Sequence, residues 1–218
     1  MIAALFVATG GTYYSPELAG ICDPWDEARD ARLYAGPHAV VAHPDCKRWG
    51  RYWFGGPSAK VRRKLGDDAG CFASALASVR AFGGVLEHPE ASHAWPAFRL
   101  RRPPRAGGWI RAGMDDPGWT CCVEQGHYGH RARKPTWLYA VGCELPSFTW
   151  GASSAEGGAI DAGYHSAGER AAAREAGTLR GGGRMGATQR KATPLAFRDA
   201  LIAMAQSVAL DARARAGA

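Results

Sequence analysis

Short apolar runs alternate along this chain with stretches whose apolar residues recur at helical spacing. The runs at 2–8, 38–42, 84–87, 119–124 and 136–142 predict strands. Between them, residues 68–82 place Cys71, Phe72, Ala75, Leu76, Val79 and Phe82 on one helical face. Near the end, Thr193 as N-cap and Pro194 in the first turn open a helix over 194–213. Its apolar positions are Leu195, Phe197, Leu201, Ile202, Met204, Ala205 and Val208. Shorter signals add a strand at 18–22 closed by Asp23-Pro24, a charged helix over 25–34, and a helix at 166–176. The alternation predicts an α/β domain with a mostly parallel central sheet of about six or seven strands and helices on both faces.

The central strand breaks at His43-Pro44-Asp45, because proline cannot donate to a ladder. Cys46 follows, then Lys47, Arg48 and Arg51 interleaved with Trp49, Tyr52, Trp53 and Phe54. A thiol at the carboxyl end of a sheet strand beside two cations has a setting that favours thiolate. Cations among aromatics suit a phosphate backbone and an unstacked base. The competing reading is a buried thiol followed by an ordinary surface loop. The 84–87 strand repeats the pattern, running into Glu87-His88-Pro89 after one intervening helix. That spacing fits a βαβ unit with parallel strands, so Cys46 and Glu87 are expected to face one crevice. Two further features sit at predicted strand ends. Thr9-Gly10-Gly11 forms a turn whose backbone N–H groups can approach a cofactor. Asp23 is either an acceptor for a ribose hydroxyl or a turn residue.

Charge widens the picture. The 218 residues carry a net charge of +7, pointing to an anionic partner, most simply nucleic acid. Basic residues concentrate at 60–64, 99–113 and 131–134. Six irregularly spaced cysteines without a Cys-x-x-Cys pair read as reduced thiols in a cytoplasmic protein. The apolar start is too short to span a membrane. Composition divides the chain into a catalytic α/β region over 1–150, a glycine-rich insert over 151–187, and a returning helix within 188–218.

Taken in order, these features resemble the DNA cytosine-5 methyltransferases, especially small phage-borne relatives with a reduced target-recognition region. Phe6, Thr9, Gly10 and Gly11 look like the family's first motif. His43-Pro44-Asp45-Cys46 resembles its Pro-Cys motif, and Glu87-His88-Pro89 its base-gripping Glu motif. Tyr128-Gly129-His130 through Arg131, Arg133 and Lys134 resembles its Arg-rich motif, and Ala192-Thr193-Pro194 its last. Asp45, Lys47, His88, Ala8 and Lys191 depart from the usual residues.

The resemblance implies a Rossmann-like fold that binds S-adenosylmethionine through Phe6, Thr9, Gly10, Gly11, Asp23 and Pro44. It implies Cys46 as nucleophile at cytosine C6, and Glu87 as the group that holds N3 and N4. Arg133 or Lys134 would neutralise charge. DNA would be held by Lys47, Arg48, Trp49, Arg51, Arg131 and Lys134, with the target base flipped or single-stranded. Three other readings stay open. One is a zinc site built from His43, Cys46, His127 and His130. The others are a nucleic-acid-binding protein that has lost its cofactor, and an enzyme acting on free pyrimidine nucleotides.

Overall fold

The computed structural model describes residues 1–55, 60–154, 167–176 and 185–216. Among them, seven strands form one sheet: β1 (Ile2–Leu5), β2 (Cys22–Trp25), β3 (Val40–Ala42), β4 (Gly84–Pro89), β5 (Ile110–Arg111), β6 (Trp119–Glu124) and β7 (Pro135–Val141). Their order is β2-β1-β3-β4-β7-β6-β5. β2, β1, β3 and β4 run parallel to one another. β7 is antiparallel to both β4 and β6, and β5 is antiparallel to β6. The sheet is therefore mixed, and only one end of it is parallel. The expectation of a mostly parallel sheet fails at β6 and β7. Only residues 125–134 join these two strands, and a connection that short favours an antiparallel pair over a crossover.

Five helices accompany the sheet among the described residues: α1 (Cys71–Phe82), α2 (Ala94–Ala97), α3 (Ala167–Glu175), α4 (Ala187–Lys191) and α5 (Leu195–Ala216). Strand alternation separates two cores. Ala3, Leu5, Val40, Ala42, Leu86, Trp137 and Tyr139 point to one face and pack with Phe72, Ala75, Leu76 and Val79 of α1. Ile2, Ala4, Val41, Val85, Leu138 and Ala140 point to the other and pack with Phe197, Leu201, Ile202 and Ala205 of α5. At the start of β4, Gly84 has φ +115°, and a Cβ there would collide with the Val40 carbonyl. Glycine thus permits the close β3–β4 pairing on which the site depends.

Several boundaries move from their expected places. The second strand lies at Cys22–Trp25 and includes Pro24. β2 is an edge strand, where a missing N–H is tolerated. The helix expected over 25–34 is reduced to a single 3-10 turn at Ala31–Leu33. Asp26 takes the backbone N–H groups of Ala28 and Arg29, and Asp30 adopts φ 50°, so the chain turns before a helix can propagate. β1 stops at Leu5 because Phe6 takes a left-handed φ of 60°. The expected insert over 151–187 falls largely outside the described residues, apart from α3 and a few flanking positions. No described helix is long and apolar enough to cross a membrane.

Candidate active site

The carboxyl ends of β1, β2, β3, β4 and β6 share one edge with the start of β7. In the β3–β4 register Ala42 faces Leu86, so His43 and Glu87 are the next pair along. Both belong to the face that packs on α5, because Val41 and Val85 do. Gln125 after β6 has the parity of Val123, and Thr136 on β7 has that of Leu138, which brings both to the same face.

The contacts follow that geometry. His43 Nδ1 lies 3.0 Å from Glu87 Oε2, and His43 Nε2 lies 2.7 Å from the Tyr13 hydroxyl. Gln125 Nε2 donates to Glu87 Oε1 at 3.2 Å and to Thr136 Oγ1 at 2.9 Å. Burial alone would push the Glu87 carboxyl up. The His43 hydrogen bond and the charges of Lys134, His43 and His88 outweigh it and lower Glu87 to about 2. Glu87 is thus an ionised acceptor, and His43 Nδ1 must carry the hydrogen between them. Lys134 is partly buried at this edge, where burial lowers its pKa and the charges of Glu87 and Cys46 oppose that.

Cys46 joins the cluster from the loop after β3, close enough that the charges of Glu87 and Lys134 act on its thiol. Burial, Glu87 and Asp45 push that thiol up, and Lys134 opposes them. This corrects the expectation that neighbouring cations favour the thiolate. Lys47 pairs with Asp45 at 3.2 Å, and Arg48 donates to the Trp53 carbonyl at 3.2 Å. Both cations are thus engaged by partners other than the sulfur.

Trp49 is also corrected. It is buried in the α1 face, with its ring against Phe72 and Phe98 and its Nε1 donating to Asp68 at 2.7 Å. A ring so enclosed cannot stack on a base. Asp68 also accepts from the backbone N–H of Gly70 and Phe72, so one carboxylate caps α1 and anchors the Cys46 loop. Arg51 is exposed with its guanidinium 5.7 Å from the Tyr52 ring centre, and Arg131 and Arg133 are exposed as well. The cation that reaches the Glu87–Cys46 pair is Lys134, the neighbour of Arg133.

Two anchors from the C-terminal segment hold the cluster. Lys134 Nζ donates to the Ala192 carbonyl at 3.0 Å. The buried Arg198 donates to the Thr12 carbonyl at 2.8 Å, fixing the loop that carries Tyr13.

The glycine loop between β1 and Tyr13 is a separate feature of the same edge. Gly10 has φ +66° with open space where a Cβ would stand. A small molecule can therefore approach this backbone, and Phe6, strained at φ 60°, begins the loop. Thr9 donates from Oγ1 to Asp26 at 2.7 Å. Asp23 is engaged by Arg29 and by Trp25 Nε1, so it is not a free acceptor for a ribose hydroxyl. The carboxylate just past β2 is Asp26, held at about 2 by hydrogen bonds from Thr9 and Tyr14. Pro44 is buried between His43 and the Cys46 loop.

The zinc reading finds no support here. Among the described residues no group of three or more His, Cys, Asp or Glu can hold a metal. His43 is taken up by Tyr13 and Glu87, and His130 lies against the carbonyls of Ala132 and Gln189.

Sequence reasoning missed Tyr13, Gln125 and Asp26 as site residues, and saw His43 as a strand break, part of the Pro-Cys motif or a metal ligand. Strand parity past β3 and β6 would have flagged His43 and Gln125 once the pairing was known. Tyr13 sits in a loop and carries no periodic signal. No family model, curated protein or solved structure matches the chain.

Proposed function

We propose that this protein is a DNA cytosine-5 methyltransferase-like enzyme that forms a covalent adduct between Cys46 and C6 of a cytosine. The observation that carries this reading is the convergence of Cys46, Glu87 and Lys134 at the end of two adjacent parallel strands. Strand–proline breaks in the sequence mark two of these residues, and their charges act on one another. The α/β sheet with its parallel end supports a Rossmann-like arrangement, whose ligands gather at the carboxyl edge.

Cytosine C5 is a poor nucleophile until a thiolate adds to C6 and makes it enamine-like. Glu87, ionised and fixed at both oxygens, accepts from the exocyclic N4 amino group. Lys134 offsets the negative charge that two anions bring to one buried spot. S-adenosylmethionine would supply an electrophilic methyl group. The open backbone at Gly10, with Gly11 and Phe6, would hold it. Asp23 is excluded from that set by its own partners. The exposed Arg51, Arg131 and Arg133, and the exposed basic residues Lys60, Arg62, Arg63 and Lys64, supply a surface for phosphates.

One observation favours a second reading, an enzyme acting on a free pyrimidine nucleotide. The two cations that follow Cys46 in the chain, Lys47 and Arg48, are used within the protein. A single experiment separates the two. Wild-type protein is expected to transfer label from S-adenosylmethionine to cytosine in an oligonucleotide, and Cys46→Ala to abolish transfer while leaving duplex affinity unchanged. Transfer to free deoxycytidine phosphates alone would favour the second reading, and equal loss of transfer and affinity in Cys46→Ala would make Cys46 structural.

A further inference from the structure

We propose that His43 is the proton store of this site, a positioning residue that holds Glu87 and lends it the proton a pyrimidine ring nitrogen takes as Cys46 adds. The inference rests on the reading above and adds a role that the resemblance does not assign.

Its basis is geometric. The imidazole bridges the partly buried Glu87, at 3.0 Å from Oε2, and the hydroxyl of buried Tyr13, at 2.7 Å, and both ring nitrogens are used. The Tyr13 ring leans on it, with centres 5.2 Å apart. Arg198 fixes the Tyr13 loop from α5, so the chain from helix to carboxylate is continuous. The arrangement has the logic of a reacting group oriented by a histidine that a third group orients in turn. Glu87 accepts at both oxygens and is held ionised, so it cannot itself store a proton at neutral pH. Imidazole is the side chain suited to exchange one there.

The step balances as follows. Cys46 enters as thiolate, its proton having left to solvent. The Sγ–C6 bond forms, the C5–C6 π bond opens, and its electron pair moves toward N3. The Nδ1 proton of protonated His43 passes to Glu87 Oε2 and on from that carboxyl to N3, which leaves Glu87 ionised as before. His43 is left neutral, with Nε2–H donating to the Tyr13 oxygen. Once C5 has taken the methyl group, loss of its hydrogen as a proton to solvent re-forms the C5–C6 π bond and expels the Cys46 thiolate, and N3 returns its proton by the same route. The titratable and charged groups around the pair are Tyr13, Asp45, Cys46, His88 and Lys134. Through Tyr13 they extend to Cys22, Arg198 and Asp199.

The test compares wild-type protein with His43→Asn and Tyr13→Phe. Asparagine keeps an N–H donor near the Nδ1 position but stores no proton. Transfer to a cytosine oligonucleotide is measured across pH, with oligonucleotide affinity alongside. His43→Asn is expected to lose roughly 10²-fold or more in kcat, the usual scale of acid–base assistance, with affinity unchanged. Tyr13→Phe, which removes the partner of His43 Nε2, is expected to slow transfer by less than His43→Asn does. A His43→Asn rate equal to wild type overturns the proposal. Nitrogen-15 resonances of His43 supply a readout free of catalysis. A downfield Nδ1–H signal that moves in Glu87→Gln supports the bridge, and its absence across pH overturns it. If wild-type protein transfers nothing, the methyltransferase reading falls, and the resonance decides whether His43 holds the proton.

Discussion

Glu87 and His88 are neighbours on β4, yet they live in opposite environments. Glu87 faces α5, where His43, Gln125 and Lys134 converge on it and keep it ionised. His88 faces α1, fully buried, edge-on to Phe72 at 5.2 Å and stacked with Trp95 at 6.2 Å. Among the described residues neither His88 ring nitrogen has a well-formed hydrogen bond, and burial outweighs the pull of Glu87, Asp45 and Asp68 and lowers its pKa to about 4. One face of the strand end is a polar network, and the other is an aromatic seal. Strand alternation makes the division, and it lets a charged group sit one residue from an apolar core. The lesson extends to the Cys46 loop, which is anchored on the sealed side by Trp49 while its thiol joins the polar side.

The sealed side should give the largest response. Trp49→Ala removes a buried ring and its bond to Asp68, so a loss of about 3–5 kcal/mol is expected, read as a lower denaturant midpoint. If Trp49→Ala instead weakened nucleic-acid binding in a protein of wild-type stability, the contrast between the two sides would break.

The two neighbours should then separate by pH. Folded His88 titrates at about 4 against an ordinary 6.5, so the unfolded chain binds the proton first. Its contribution is intact above about 6.5 and shrinks as pH falls toward 4, by up to about 3 kcal/mol. Glu87 titrates at about 2 against an ordinary 4.5. Its contribution is present above 4.5 and is lost, on a similar scale of about 3 kcal/mol, as pH falls toward 2. Urea midpoints measured against pH should therefore flatten between 6.5 and 4 in His88→Phe, and only below 4.5 in Glu87→Gln. Identical profiles for the two variants would mean that the faces are not independent.

Much of the fold was legible because it depends on periodicity. The apolar runs marked β3, β4, β6 and β7 to within a residue or two at most ends, and the helical spacing marked α1 and α5. The proline break located Cys46, and the apolar run before it located Glu87. What escaped notice depended on pairing or on loops. The antiparallel pairing of β7 follows from the short 125–134 connection, which the apolar pattern does not encode. Trp49 looked like part of an exposed basic loop because its partner, Asp68, is distant in sequence. Arg133 and Lys134 are adjacent cations, and only the register of β7 decides which one reaches the site. The thiol environment was misjudged because sequence neighbours were counted, whereas burial and the carboxylates of Glu87 and Asp45 dominate.

The central claim is that Cys46 and Glu87 act on one base. Its most direct test is a cytosine oligonucleotide carrying fluorine at C5, incubated with the protein and S-adenosylmethionine. Fluorine cannot leave C5 as a proton does, so an adduct that has taken the methyl group cannot collapse. The account predicts a denaturant-stable protein–DNA complex, with peptide mapping placing the bond on Cys46, and slower capture in Glu87→Gln. No adduct, or one on another cysteine, would contradict it.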